Sequence, residues 1–278
     1  MIRSLWIAKT GLDSQQTNLD VITNNLANSQ TTAFKRIRPV FSELMYQTLR
    51  ADGLGQGRAT SAFGGGGDYV PVPVGLSIGN GSAVVATQRI NSQGQVIRTE
   101  NPLDLAIKGL GYFVIATATP PAPENIAYTR AGNFMRDNQG YIVNPSGNYL
   151  LDVDNQPIQI PSTASSILIG EDGTVTYYEQ STITGTVAGQ IQLVSFMNPT
   201  GLSNGGGDLY YETLASGAPV LGTAGQDGLG TMLQYYTEQS NVNIAEELVG
   251  LIAAQRAYEI TTRSISASDS ILQKLGNI

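Results

Sequence analysis

The closing stretch of the chain, NVNIAEELVGLIAAQRAYEITTRSISASDSILQKLG over residues 241–276, decides how the rest is read. Asn243 is a good N-cap, and Glu246 stands three residues on, as in a capping box. Glu246 and Glu247 put negative charge at the positive end of the helix dipole, Lys274 lies in the last turn, and Gly276 is the stop. Ile244, Leu248, Leu251, Tyr258, Ile265 and Leu272 fall on alternating four- and three-residue steps, the seam of a coiled coil. Gln255, Thr262 and Asp269 hold the remaining seam positions at intervals of seven, which argues against one dry two-stranded zipper. A second stripe of Val249, Ile252, Ile260, Ala267, Ile271 and Leu275 widens the apolar surface. At ~1.5 Å per residue the helix is roughly 50 Å long, more than one small domain covers. Something else must bury it.

The partner lies at the other end of the chain. Leu5, Leu12, Leu19 and Leu26 recur at sevens, with Ala8, Gln15 and Ile22 on the same period three residues later. Ser4 is placed to cap this helix. A lone helix of this kind usually lies on its own domain. Two long seam-bearing helices at opposite ends of one chain most simply pair with each other as a coiled coil, with stripes to spare.

The 278 residues are 41% hydrophobic, enough for a core, and only 13% charged. The count of Gly 32 suits turn-rich β structure. A net charge of -7 with no basic stripe argues against nucleic acid as a partner. Cys 0 excludes disulfides and thiolate chemistry, and His 0 removes the usual general base and the commonest transition-metal ligand. No apolar run reaches the ~18 residues of a membrane span, and Lys9, Asp13 and Gln15 interrupt the start too early for a cleavable signal.

In chain order, the Asn, Ser and Thr cluster from Asn24 to Thr32 should end the first helix. A second short helix is expected over roughly Pro39 to Leu49. Residues 51–68 are Gly-rich and read as flexible chain, without the Gly-Lys-Ser/Thr of a phosphate loop. Val70, Val72 and Val74 alternate with prolines, as in an edge segment. From about Leu76 onward short strands are expected at Ala83–Arg89, Leu105–Ile107, Tyr112–Ala116, Tyr141–Val143, Ile167–Ile169, Val175–Tyr178 and Gln190–Phe196. Hairpin turns are expected at Asp137-Asn138-Gln139-Gly140, Asn144-Pro145-Ser146-Gly147 and Glu171-Asp172-Gly173. The fold class is therefore α+β: long N- and C-terminal helices paired as a coiled coil around a central antiparallel β domain. The divisions are a helical segment at 1–38, an extended Gly/Pro-rich linker with a short helix and a possible hairpin at 39–75, a β-rich domain at 76–236, and the second helix at 237–278.

Asp152-Val153-Asp154-Asn155 opens like a calcium loop, but Pro157 and Thr163 stand where Gly and Glu are needed, so a turn after a strand is the better reading. Nothing singles out a carboxylate pair for glycoside hydrolysis. No catalytic residue, metal ligand or cofactor is expected.

Asn24, Asn25 and Asn28, followed by Phe34 and Lys35, resemble the N-terminal signature of bacterial flagellar rod and hook proteins. Leu105 to Phe113 and Tyr128-Thr129-Arg130-Ala131-Gly132-Asn133-Phe134 are similar to that family's central motifs. Asn241, Gln255, Arg256 and Tyr258 match its C-terminal motif, closest to the members that build the distal rod. Ala33 and Tyr235 stand where the family usually has Gly. The resemblance implies a structural subunit, exported without a cleavable signal, that polymerises helically into the periplasmic shaft carrying motor torque to the hook. It implies as partners further copies of itself, proximal rod and hook subunits, the surrounding rings, the rod cap and the export apparatus, with no nucleic acid and no membrane insertion. The subunit interface is expected on Leu5, Leu12, Leu19, Ile22, Leu26, Ile244, Leu248, Leu251, Ile252, Tyr258, Ile265, Leu272 and Leu275. Alone, those stripes would face water, so both terminal segments are expected to order on assembly. The alternatives are a hook or proximal rod subunit or, in a different class, a carbohydrate-binding or peptidoglycan-acting β domain.

Overall fold

The computed structural model describes residues 2–50, 76–118, 121–122, 125–179 and 184–276. The Gly-rich stretch at 51–68 and the Val70–Val74 alternation lie outside the described residues. Two long helices bracket a mostly antiparallel β structure. Helix α1 runs Ile2–Ala27 and helix α2 runs Ile244–Gly276. The chain divides into one unit of residues 1–23, 38–88 and 248–278, and another of residues 24–37 and 89–247.

The helix ends follow local chemistry. Asn243 caps α2 by accepting the Ala245 N–H on its Oδ1 at 3.1 Å, as its residue type demands. At the end of α1, Asn28 donates both its backbone and its side-chain N–H to the Asn24 carbonyl, and the helix stops. Ser4 lies inside α1 rather than at its cap, because the helix already runs from Ile2.

Within the first unit, the helix expected over Pro39–Leu49 is instead strand. Ile37–Glu43 pairs with Ser82–Arg89, and Gln47–Arg50 pairs antiparallel with Leu76–Ile78. Ile37, Val40 and Phe41 favour a pleated surface, and Pro39 is tolerated because a two-stranded pair leaves an edge free. Long-range pairing thus overrides a local apolar spacing that fits either period. These strands meet α1: Ser14 Oγ donates to the Ser82 carbonyl at 3.3 Å, and Arg3 Nη2 donates to the Ile78 carbonyl at 3.1 Å. Gly81, at φ +105, lies so close to Thr10 that a Cβ there would sit 2.0 Å from its hydroxyl.

The second unit is built around the strand Tyr112–Ala116, buried along its whole length. It pairs antiparallel with Ile126–Thr129, Tyr149–Leu150 and Gln192–Ser195. Because side chains alternate, Phe113 and Ile115 enter one core while Tyr112, Val114 and Ala116 enter another on the opposite face. Phe113 packs edge-on against Phe134 at 5.3 Å, and Tyr128 against Phe196 at 4.9 Å. All three expected hairpin turns are present, with Gly140, Gly147 and Gly173 at φ 89, 84 and 83. The run expected as one strand at Gln190–Phe196 divides into Thr186–Gln190 and Gln192–Ser195. Ile191 between them bridges Asp152, so the chain changes sheets there. Asp152 Oδ1 accepts the N–H groups of Asp154 and Gln156, which spends the supposed calcium loop on a turn.

Candidate functional site

The residues that follow α1 converge with those that precede α2, inside the second unit. Asn25 is buried and serves as a surrogate backbone: its Nδ2 donates to the Ile37 carbonyl at 2.8 Å and its Oδ1 accepts the Ile37 N–H at 2.9 Å. The same Nδ2 reaches Glu247 Oε2 at 3.3 Å. Arg36 Nε stands 2.6 Å from Glu247 Oε1, off the N–H axis and so an ion pair rather than a hydrogen bond. Its Nη1 lies 3.5 Å from Glu246, which therefore leans toward Arg36. Asn241 Oδ1 accepts the Arg36 backbone N–H at 2.7 Å, while its Nδ2 donates to the carbonyls of Ile90 and Ser92. Backbone bonds from Ala33 to Glu238 and from Asn241 to Phe34 complete the neck.

At its centre is a buried carboxylate with two cations. Glu238 holds Lys35 Nζ at 2.5 Å on Oε1 and Arg130 Nε at 2.8 Å on Oε2, and Oε1 also accepts the Gly94 N–H. Arg130 spends its remaining N–H groups on the carbonyls of Ile107, Gly109 and Gly111, and Lys35 donates to Ser92. Every member is satisfied, as a buried charge requires. Burial alone would raise the Glu238 pKa, but the charges of Arg130 and Lys35 outweigh it and hold the carboxyl below its usual range. Burial lowers the Lys35 ammonium, with the pull of Glu238 opposing it. Two residues have a left-handed backbone where the resembled family usually has Gly: Ala33, whose N–H donates to the Glu238 carbonyl, at φ 59, and Tyr235, bonded to Thr99 and Asp104, at φ 68.

A cleft of about 340 Å³ opens between Asn24, Asn28, Phe34, Lys35, Arg89 and Tyr210. The Arg89 guanidinium lies 4.5 Å over the Tyr210 ring. Among the described residues no group of three or more Asp and Glu could hold a metal ion.

The expected interface residues separate into two faces of the helices. On α2 the sheltered positions are Glu247, Gly250, Leu251, Ala254, Ala257, Tyr258, Thr261, Ile265 and Ser268, a stripe that follows four- and three-residue steps with Gly250 and Ala257 beside it. Gln255, Thr262 and Asp269 point outward, and their predecessors Ala254, Thr261 and Ser268 occupy the seam instead. The expected seam is thus off by one residue at every second position, because small side chains rather than large apolar ones fill the close contacts. Ile244, Leu248 and Ile252, expected on the seam or beside it, are exposed. The side chains of Leu272 and Leu275 lie outside the described residues. On α1 Ile22 is buried, while Leu5, Leu12, Leu19 and Leu26 are half-buried. A Cβ at Gly11 would meet Thr261 Cγ2 at 3.8 Å, and one at Gly250 would meet Ile22 Cδ1 at 3.7 Å. Between those two contacts α1 advances as many residues as α2 retreats.

Of the signature residues, Asn25, Phe34, Lys35 and Asn241 gather at the neck and Asn24 and Asn28 line the cleft, whereas Gln255 and Arg256 lie exposed on α2 and Tyr258 is half-buried on it. Glu238, Arg36 and Glu247 carry the neck as much as they do, yet partners of each lie more than two hundred residues away and local patterns do not mark them. Arg130 stands within a recognisable motif, but nothing local announces its carboxylate.

Three family models match the chain: "Flagella basal body rod protein" over residues 5–35, "Flagellar hook protein FlgE/F/G D1 domain" over 106–177, and "Flagellar basal body rod FlgEFG protein C-terminal" over 233–278. The flagellar basal-body rod protein FlgG of Buchnera aphidicola subsp. Acyrthosiphon pisum is 44% identical over 278 residues, covering 100% of both chains. FlgG of Caulobacter vibrioides is 42% identical, covering 98% of this chain and 97% of its own. The solved Helicobacter pylori flagellar hook protein FlgE2 is similar at 17% identity over 60% of this chain and 47% of its own, with a TM-score of 0.23 that carries no structural argument. By full-length similarity to such relatives, the chain belongs to the family of flagellar basal-body rod proteins.

Proposed function

We propose that this structural rod subunit assembles into a helical homopolymer through its terminal helices. In this reading α1 and α2 pair as an antiparallel coiled coil, and their remaining apolar faces pack against neighbouring copies. The observation that carries it is the stripe left open on α2: Leu248, Val249, Ile252, Ile260 and Ile271 are all at least 44% exposed, on the face away from Leu251, Ala254 and Tyr258. Aliphatic side chains that recur over most of a 33-residue helix mark a protein contact rather than a solvated face. A heterologous contact of this kind does not close, so it propagates as a filament. The polymer would form the distal part of the rod, joined to proximal rod and hook subunits and turning inside the basal-body rings, and interdigitated helices would give it the stiffness that torque demands. Ile260→Asp and Val249→Asp, placed on the open stripe, should abolish filament growth in a sedimentation assay while leaving the circular dichroism of the subunit unchanged. Filaments of ordinary length from both variants would overturn the proposal.

A further inference from the structure

Between Arg136 and Arg256 the sequence contains no Lys or Arg but twelve Asp and Glu. Most of the β body therefore presents carboxylates alone, and two such bodies repel wherever those carboxylates meet. Two patches on it expose apolar side chains instead. The first is a projection formed by Met197 and Leu214, which are 93% and 106% exposed. It is held rigidly: Thr213 Oγ1 donates to the Gly201 carbonyl at 2.6 Å, Asn198 Nδ2 to the Ala215 carbonyl at 3.0 Å, and Ser216, buried beneath, donates to Thr213. The loops abut so closely that a Cβ on Gly201 would sit 2.7 Å from the Ala215 backbone. The second is the outer face of the sheet formed by Ala164–Ile169, Thr174–Glu179 and Thr186–Gln190. Register places Leu168 beside Thr176 and Thr176 beside Val187, one cross-strand row. Leu168 is 53% exposed and Val187 60%, where an antiparallel sheet ordinarily shows water a polar face.

We infer that the Met197–Leu214 projection of one copy seats on the Leu168–Val187 face of another, a self-association contact separate from the helices. The inference rests on the rod-subunit reading and deepens it. The partner is a second copy because an acidic body approaches its own kind with least repulsion where apolar side chains rather than carboxylates meet, and both surfaces required are on this chain. A rigid apolar anchor meeting a flat apolar face gives up little entropy on binding. The two patches differ, so the contact is heterologous and repeats in one direction.

The absence of cysteine allows a clean test on the full chain. Leu214→Cys and Val187→Cys are made separately, mixed under assembly conditions, and treated with a short bismaleimide. The inference expects a covalent dimer from the mixture and none from either variant alone. Leu214→Glu, at a position too exposed to disturb folding, should weaken self-association roughly tenfold or more. Filaments that form without that cross-link would overturn the inference and leave the helix-driven rod intact. A cross-link obtained equally from Leu214→Cys alone would also overturn it, since it would mean a symmetric contact. Complete failure of the chain to self-associate would overturn both readings.

Discussion

Ala33, at the neck, and Tyr235, just before it in the chain, show what one residue contributes. Both adopt a left-handed backbone that side chains with a Cβ pay for at about 1 kcal/mol. Ala33→Gly and Tyr235→Gly should each raise stability by about that amount, read from the urea midpoint. Gly132 is the opposite case, since a Cβ there would fall 1.6 Å from the Leu105 carbonyl oxygen. Gly132→Ala should cost more than ~2 kcal/mol, because backbone must move to admit it. Glu238→Gln leaves Lys35 and Arg130 buried without their anion, and a loss of about 3–5 kcal/mol is expected in the same measurement. Glu238 also governs the response to acid. Its folded pKa lies below the unfolded one, so its stabilisation is present above the unfolded value and is lost as pH falls through the folded one. The acid limb of a stability–pH curve should therefore be shallower in Glu238→Gln than in the parent. Lys35 acts with the same sign on the alkaline side: the unfolded chain keeps a proton that the folded one releases, so folding is favoured more as pH rises toward 10.5.

Among the elements, those with local causes were legible in the sequence. Asn243 announces the start of α2, and the Asp137, Asn144 and Glu171 turns announce their hairpins, because each signal and its effect lie within four residues. Asn243→Ala should destabilise the first turn by about 1 kcal/mol, seen as faster amide exchange at Ala245 and Glu246. The strands at 37–50 were not legible: Val40, Phe41, Leu44 and Leu49 fit a helix, and only pairing with Ser82–Arg89 and Leu76–Ile78 decides against it. The seam of α2 was legible in its period but not in its phase. Leu251, Tyr258 and Ile265 are half-buried as the period suggests, whereas Leu248, Gln255, Thr262 and Asp269 are exposed and the residues just before them, Glu247, Ala254, Thr261 and Ser268, are sheltered. Small residues are silent in a hydrophobic pattern, yet they are what lets two helices approach. The neck escaped for a related reason: Lys35 and Asn241 were visible as members of a signature, but the carboxylate that Lys35 serves stands 203 residues away.

At the scale of the whole molecule, the open apolar stripes of α2 are unfavourable in an isolated subunit. Amide exchange should find residues 5–26 and 244–272 poorly protected in the monomer and strongly protected in the polymer, since assembly supplies the burial that orders them. Equal protection in both states would mean that the helices are held by their own chain alone.

The neck has one more consequence. Ala33 to Arg36 are tied directly to Glu238 and Asn241, so the polypeptide enters and leaves the β body through a single doorway. Everything strung between Arg89 and Glu238 hangs from that doorway like a pendant from a clasp. That doorway cannot be separated from what it carries, because Arg130 and the Ile107, Gly109 and Gly111 carbonyls that close it belong to the body itself. A foreign insertion is therefore best tolerated far from the doorway, at an open turn such as Asn144–Gly147, where a Cβ on Gly147 would meet nothing within 4 Å.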